Sequence, residues 1–218
     1  MDLDLNLKIL RERIEKASEI SGRDPRLIEI LPVTKYKDIE LIHKLQSYGF
    51  LRCGENYVQE IERKAALLPN VEWVAIGHLQ TNKSSLATRF CTTILSLDSI
   101  RLAKSLDRES QRINKDLTVW IQVDLWQQQP LKGCLKEEVP ILLESIHSAP
   151  HLHFGGLMVL PPIGEDRAFP DSNRFRSELE QTLQKRILLS MGMSEDLELA
   201  IRHGSDQLRI GSALLGPR

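Results

Sequence analysis

The stretch Ile28-Glu29-Ile30-Leu31-Pro32-Val33-Thr34-Lys35 is a short apolar run that ends in a lysine. Helix-like patterns flank it on both sides, and apolar runs of this length between helices are typical of buried strands in a parallel sheet. Ligands of α/β proteins bind at the carboxyl ends of such strands, where Lys35 stands. A partly desolvated lysine has a lowered pKa and can form a Schiff base with an aldehyde. The alternative is a solvated lysine that opens a loop, which is our interpretation of Lys37.

Outward from this stretch, helix and strand patterns alternate along the whole chain. An amphipathic helix is predicted over 4–21, and seven further strands follow the first, each preceded by a helix pattern. The seven strands are predicted at 51–53, 73–76, 93–97, 117–123, about 152–159, 187–191 and 207–210. Eight such units predict an α/β fold of the (β/α)₈ TIM-barrel type, with residues 1–218 as a single domain. An open doubly wound sheet is the alternative, disfavoured because no Gly-x-Gly-x-x-Gly follows the first strand.

Composition excludes several classes of function. The chain has 218 residues, 41% of them hydrophobic and 27% charged, with a net charge of −1 at pH 7. A non-specific nucleic-acid binder would need a basic excess. No apolar stretch approaches the length of a membrane helix, and the N-terminus lacks the features of a secretory signal. Three cysteines without a Cys-x-x-Cys spacing argue against a disulfide framework or a zinc cluster, so we expect a cytoplasmic protein.

The residues at the predicted carboxyl ends of the strands are mostly polar. In a barrel they would share one end, and they contain one lysine and one histidine. A single histidine makes a metal site improbable, and the order of elements suggests no Ser-His-Asp grouping. The residues are Lys35, Asn56, His78, Asp98, Asp124, Met158, Ser194 and the pair Gly211-Ser212.

Two turns resemble phosphate cradles. Gly192-Met193-Ser194-Glu195-Asp196 follows the seventh predicted strand, and Gly211-Ser212-Ala213 follows the eighth. Barrels commonly bind phosphate after these two strands, where backbone N–H groups converge. Alternatively, Ser194 is a plain N-cap of the next helix. A Schiff-base lysine together with a phosphate site indicates a phosphorylated aldehyde, and pyridoxal 5′-phosphate (PLP) is the obvious candidate.

Arg209 belongs to the eighth predicted strand, two residues before Gly211. An inward arginine is costly unless it is paired or used. One interpretation is a donor to the pyridine nitrogen of the cofactor, which would keep that nitrogen unprotonated and weaken the electron sink. The other is a structural ion pair with a carboxylate at the barrel floor.

Several segments resemble the pyridoxal-phosphate homeostasis protein family, the YggS-like proteins. The resemblance spans nearly the whole chain, and its two most specific runs are 54–60 and 76–83. It implies the barrel of alanine racemase without the second β-domain, with PLP as cofactor. The segments are Val33-Thr34-Lys35, Gly54-Glu55-Asn56-Tyr57-Val58-Gln59-Glu60, Ile76-Gly77-His78-Leu79-Gln80-Thr81-Asn82-Lys83, Gly156-Leu157-Met158, Met191-Gly192-Met193-Ser194-Glu195-Asp196 and Arg209-Ile210-Gly211-Ser212-Ala213.

The resemblance also implies a role for each matching residue. Lys35 would hold PLP as a Schiff base, Asn56 would lie beside the cofactor ring, and Arg209 would meet the pyridine nitrogen. The phosphate would be held by Ser194, Gly211 and Ser212, and the pocket would be lined by Ser84 and Met158.

The sequence departs from the family pattern at three places. Lys132 is followed directly by Gly133, where the family usually has Lys-x-Gly. Ser212 replaces the commoner threonine and keeps the hydroxyl. The end at 215–218 lacks the usual Gly-x-Arg-x-Tyr tail.

The resemblance implies a PLP-binding protein of vitamin B6 homeostasis, without established catalysis. We expect a carrier or reservoir that hands PLP to apo-enzymes, as a monomer because the domain that builds the racemase dimer is missing. A low-activity PLP-dependent amino-acid racemase is the alternative. A two-base racemase needs a second acid–base residue, and neither Tyr36 nor Tyr57 is placed for that role. A sugar-phosphate aldolase using a Schiff base is a third, and it would show no cofactor absorbance.

Overall fold

The computed structural model describes residues 2–127 and 133–217, in which helices and strands alternate. The helices are α1 (Leu3–Ser21), α2 (Ile39–Ser47), α3 (Val58–Ala65), α4 (Ser84–Phe90), α5 (Ile100–Ile113), α6 (Val139–His147), α7 (Ala168–Leu183), α8 (Leu197–Arg202) and α9 (Ser212–Leu215). The strands are β1 (Glu29–Pro32), β2 (Arg52–Glu55), β3 (Glu72–Ala75), β4 (Cys91–Leu97), β5 (Leu117–Val123), β6 (Leu152–Val159), β7 (Leu188–Ser190) and β8 (Gln207–Ile210).

The eight strands form one sheet in the order β1-β8-β7-β6-β5-β4-β3-β2. The strand pairs whose register is defined are all parallel, for example Glu29 beside Gln207 and Cys53 beside Trp73. Parallel neighbours need a crossover connection, and the helices supply it. This is the (β/α)₈ arrangement that the sequence predicts, so the carboxyl ends of the strands are where a ligand is expected.

The chain divides into two compact units. The first comprises 1–33 and 159–218 and holds α1, β1, α7, β7, α8, β8 and α9. In it α1 contacts α8 and the four-residue α9, and the Asn6 side chain donates to the Leu214 carbonyl at 3.0 Å. The single-domain expectation for 1–218 stays a prediction.

The second unit comprises 34–158 and holds β2 to β5, most of β6, and α2 to α6. Its strands are apolar on both faces, with Val74, Ile94 and Val119 fully buried. Burial on both faces is the norm for a parallel sheet covered by helices. Asp38 and Ser99 cap α2 and α5, since their side chains accept from the N–H groups of Leu41 and Leu102.

One boundary that differs from the sequence prediction bears on the candidate site. Strand β1 ends at Pro32 rather than Lys35, because the chain turns there. None of the helices in residues 2–127 and 133–217 is long and apolar enough to cross a membrane.

The three cysteines are free and buried, and their burial gives a first prediction. Burial raises the pKa of the Cys53, Cys91 and Cys134 thiols to about 12. Only a thiolate reacts quickly with a disulfide reagent. We therefore expect the native protein to react slowly with Ellman's reagent and to release three equivalents of thiol at once in denaturant. A fast equivalent in the native protein would contradict this.

Candidate functional site

The turn that follows β1 carries Lys35. The Lys37 N–H donates to the Thr34 carbonyl at 3.0 Å, so residues 34–37 form a tight turn. Tyr36, at its third position, has a φ of 62°, a left-handed conformation that a bulky residue adopts at a cost on the order of 1 kcal/mol. The surrounding structure must therefore impose this turn. It ends the strand before Lys35 and leaves the lysine half-buried.

The residue before Lys35 is fixed by a buried hydrogen-bond network. The Thr34 N–H donates to the Gly54 carbonyl at 2.9 Å, and its hydroxyl donates to Glu55 Oε1 at 2.8 Å. The Thr34 carbonyl also accepts from Lys64 Nζ at 2.9 Å. Glu55 and Lys64 form an ion pair at 2.5 Å, and both are at least 98% buried in their side chains. The base of Lys35 is thereby tied to β2 and α3.

Sequence reasoning missed this ion pair. Lys64 stands in a helix beside Glu62 and Arg63, a pattern typical of a solvated face. The available signal was Glu55, a carboxylate at the end of a strand, where a buried charge requires a partner. In the described part of the chain, the second Glu55 oxygen, Oε2, is buried and has no hydrogen-bond partner. One oxygen of the Glu55 carboxylate therefore lacks a hydrogen-bond donor among the described residues.

Asn56 follows β2 directly. Because the Thr34 N–H bonds to Gly54 of β2, Lys35 and Asn56 each follow a residue of this linked backbone. The backbone here is tightly approached by a second segment, since a Cβ at Gly77 would collide with the Asn56 carbonyl oxygen. Only glycine permits this approach. The Ser96 hydroxyl donates to the Gly77 carbonyl at 2.6 Å and holds the segment in place.

The other strand-end residues of this unit divide into exposed and buried ones. His78 Nδ1 lies 3.1 Å from Asp98 Oδ2, with the imidazole 38% exposed. Ser84 is buried, and its hydroxyl donates to the Thr81 carbonyl at 2.8 Å, at the start of α4. Met158 is buried near the end of β6. Lys132 lies outside the described residues, so the altered loop before Gly133 stays a prediction.

In the unit of 1–33 and 159–218, the two predicted phosphate turns meet. The Ala213 N–H donates to Ser194 Oγ at 3.0 Å, which joins the turn after β7 to the turn after β8. Asp196, not Ser194, occupies the N-cap of α8, so the interpretation of Ser194 as a plain cap is wrong. Arg13 of α1 supports the turn by donating to the Ser194 carbonyl at 3.1 Å.

Within the described residues, the N–H groups of Gly211 and Ser212 meet no acceptor. They lie at the start of α9, beside the Ser194 hydroxyl that Ala213 engages. Backbone N–H groups that converge with a hydroxyl form a concave donor set for an oxyanion. The structure thus brings together the three residues that the sequence assigned to phosphate.

Arg209 is the most buried cation of this unit, at 4% exposure. Its Nη1 donates to the Ser190 hydroxyl at 2.8 Å, and its Nη2 donates to the Val159 carbonyl at 2.9 Å. Among residues 2–127 and 133–217 it forms no salt bridge, so the predicted structural ion pair at the barrel floor is not formed there. Ser190 ends β7 and Val159 ends β6, so the guanidinium lies at the carboxyl ends of the strands.

Burial lowers the pKa of Arg209 to about 10, and the negative charge of Asp196 opposes that shift. The group therefore remains a cation at pH 7. A buried cation with only neutral acceptors is expensive, and a ligand acceptor would offset that cost. In the described part of the chain, no group of three or more His, Cys, Asp or Glu side chains could hold a metal ion.

Comparisons with known proteins agree with this arrangement. Residues 5–218 match the family model described as alanine racemase, N-terminal domain. The pyridoxal phosphate homeostasis protein of Corynebacterium glutamicum is 33% identical, over 96% of this chain and 99% of its own. PipY of Synechococcus elongatus, solved with PLP bound, is 30% identical, with a TM-score of 0.80 over 94% of this chain and 100% of that one. An alanine racemase of Clostridium difficile shares the fold, with 14% identity, a TM-score of 0.77, and coverage of 99% of this chain and 59% of its own.

Proposed function

Because the chain belongs to the alanine racemase N-terminal domain family and to the pyridoxal phosphate homeostasis proteins, we propose that it binds PLP and serves PLP homeostasis. PipY, a relative that spans 94% of this chain, has been solved with PLP bound. The observation that carries the proposal is the buried Arg209. It is a cation without a carboxylate partner in the described residues, and it lies in the same unit as the joined turns of Ser194 and Gly211.

The residues present fit the chemistry of the group. PLP offers an aldehyde, a dianionic phosphate and a ring nitrogen that accepts hydrogen bonds. We propose that Lys35 forms a Schiff base with the aldehyde and that Asn56 lies beside the ring. For the phosphate we propose Ser194, Gly211 and Ser212, whose donors suit an oxyanion. Ser84 and Met158 are proposed to line the pocket.

We propose that Arg209 donates to the pyridine nitrogen. A nitrogen that accepts from a guanidinium is not protonated, since the pKa of Arg209, at about 10, is far above that of a pyridine. An unprotonated ring withdraws electrons weakly from carbon atoms bound to it. This arrangement favours holding the cofactor over stabilising a carbanion.

The function that follows is a carrier or reservoir without catalysis of its own, which supplies PLP to apo-enzymes in the cytoplasm. The neutral hydrogen-bond partners of Arg209 support this choice over racemase activity. A racemase would also need an acid–base residue on the second face of the substrate. Tyr36 and Tyr57 both have side chains more than half exposed, which is a poor environment for such a base.

Deuterium exchange distinguishes the carrier from the racemase. We expect the PLP-loaded protein in D₂O to exchange the α-hydrogen of L-alanine no faster than the same concentration of free PLP, because the ring nitrogen is not protonated. Proton NMR of the alanine α-signal measures this directly. Exchange at a rate of even about 1 s⁻¹, within the ordinary range of enzyme turnover, would make racemase activity the better description.

A further inference from the structure

A second charged cluster lies in the unit of 1–33 and 159–218. We name it the arginine cluster, and it consists of Arg23, Arg176 and Arg186 around Asp206. Asp206 and Arg186 precede β8 and β7, whereas the proposed phosphate turns follow these strands. The arginine cluster therefore lies at the amino-terminal ends of β7 and β8, away from the proposed cofactor site.

Asp206 is saturated with donors. Its Oδ1 accepts from Arg23 Nη2 at 3.0 Å and from Arg186 Nη2 at 3.1 Å. Its Oδ2 accepts from Arg176 Nη1 at 3.2 Å and from the Leu189 N–H at 3.0 Å. A carboxylate offers about four acceptor sites, and all four are in use. One carboxylate thus serves three guanidinium groups.

The charges of the cluster do not balance. The second acid beside it is Glu180, whose Oε1 accepts from the Ile187 N–H at 2.8 Å. Three guanidinium groups against two carboxylates leave one positive charge in a partly desolvated site. Burial lowers the pKa of Arg23, with repulsion from Arg176 and Arg186 adding to the shift. A bound anion would relieve that repulsion.

The cluster lines a cavity of about 470 Å³, which also borders Glu180 and Gly204. At Gly204 a Cβ would lie 2.9 Å from Arg176 Nη2, and the φ of 89° further favours glycine there. The absence of a side chain allows the arginine to approach. Arg176 Nε is buried and meets no acceptor in the described part of the chain.

Arg186 has donors to spare. Among residues 2–127 and 133–217 only its Nη2 is engaged, with Asp206, and its side chain is 65% exposed. Its guanidinium can therefore present the remaining N–H groups to a second oxyanion in the bidentate manner typical of arginine. Arg23 donates from both Nη atoms to protein oxygens, which fixes its charge at the cavity wall.

We propose that the arginine cluster is a second anion site, which binds a small phosphate-bearing molecule through Arg186 with Arg23 and Arg176 behind it. The ligand class follows from the chemistry of the cavity. The cavity has a surplus of positive charge on fixed guanidinium groups. This surplus suits a tetrahedral oxyanion that carries two negative charges. Inorganic phosphate and a phosphate monoester share this chemistry.

The test is calorimetric titration of the full chain with inorganic phosphate and, separately, with glycerol phosphate, at constant ionic strength. Both are measured on protein saturated with PLP, so that the proposed cofactor site is filled. We expect Arg186→Gln to weaken binding about tenfold, as for loss of one charge-assisted contact. The matched control is Arg174→Gln on α7, an exposed arginine paired with Asp171 outside the cavity, which should bind as the unmodified protein does.

The outcomes separate the possibilities. Equal affinity in Arg186→Gln and the unmodified protein, or no binding by the latter, overturns the proposal. Tighter binding of the monoester identifies a phosphorylated metabolite class, and equal binding identifies phosphate itself. Because the comparison of Arg186→Gln with Arg174→Gln needs no bound PLP, repeating it on PLP-free protein tests the arginine cluster even if the proposed function fails.

Discussion

Replacing Lys35 by alanine is expected to abolish covalent attachment of PLP and to leave the fold intact. Lys35 would supply the amine that condenses with the aldehyde of PLP, with water as the leaving molecule, and alanine has no such nucleophile. The unmodified protein mixed with PLP should show the visible absorption of an imine conjugated with the ring, and Lys35→Ala should not. The Thr34 hydrogen bonds to Glu55 and Lys64 stay in place in Lys35→Ala, so the stability cost should stay below about 1 kcal/mol.

The matched control is Lys37→Ala, two residues away in the same turn. It should keep the absorption band. Reduction with borohydride converts the imine to a stable secondary amine, and peptide mapping then locates the label. A label on Lys35 in the unmodified protein and in Lys37→Ala, with none in Lys35→Ala, is the expected pattern. A protein that stays colourless with PLP would rule out the cofactor proposal and bring the sugar-phosphate alternative forward.

The sequence predicts the fold well where burial alone decides it. Strands β5, β6 and β8 have the boundaries that the apolar runs predict, at 117–123, 152–159 and 207–210. In β5 and β8 all but one of the residues are buried, and charged residues or glycine flank both strands. In β6 five of the eight residues are buried. Hydrophobic pattern and turn chemistry then agree, which makes local prediction reliable.

Prediction fails where a tertiary contact overrides the local pattern. The apolar pattern predicts a strand over the whole run at 28–35. The 34–37 turn ends the strand earlier, and the left-handed conformation of Tyr36 in this turn has no signal in the sequence. The turn is maintained by Lys64, thirty residues away, and by β2. A single sequence does not reveal such partners.

The same limit applies to the proposed phosphate residues. Sequence placed Ser194 and Gly211 after the last two strands, but it did not distinguish a helix cap from a ligand donor. In the structure Asp196 takes the cap and Ser194 accepts from the second turn, while the role of Ser194 as a ligand donor stays a prediction. For Arg209 both interpretations were open from the sequence. Its partners, Ser190 and Val159, lie in other strands and leave no ion pair among the described residues, whereas its role as donor to a pyridine nitrogen stays a prediction.

Lys64→Met is expected to cause the largest loss of stability of any change considered for this protein. Methionine is close to the lysine stem in volume, so packing changes little, but Glu55 keeps a buried charge with no cation beside it. Removing one partner of a buried ion pair typically costs about 3–5 kcal/mol. Here the cost should reach the upper part of that range, because Glu55 Oε2 already has no partner among the described residues.

Urea unfolding of the PLP-free protein measures the effect, with the midpoint and slope compared with the unmodified protein. The matched control is Arg63→Met on the same helix, whose side chain is 71% exposed and pairs with Glu60. Its effect should lie within about 0.5 kcal/mol, as for surface substitutions. A Lys64→Met effect as small as this would show that the Glu55 charge is compensated in another way.

The double variant Glu55→Gln with Lys64→Met separates charge from packing. With no buried charge left, much of the lost stability should return, since removing both partners of a buried pair is often nearly neutral. In the double variant the Thr34 hydroxyl can still donate to the side-chain oxygen of the glutamine at position 55. The Thr34 backbone carbonyl, however, loses the hydrogen bond from Lys64. The turn that carries Lys35 should therefore remain looser than in the unmodified protein. We expect the double variant to fold and yet to form the Lys35 imine with weaker PLP affinity, a separation of stability from binding that a purely structural ion pair would not produce.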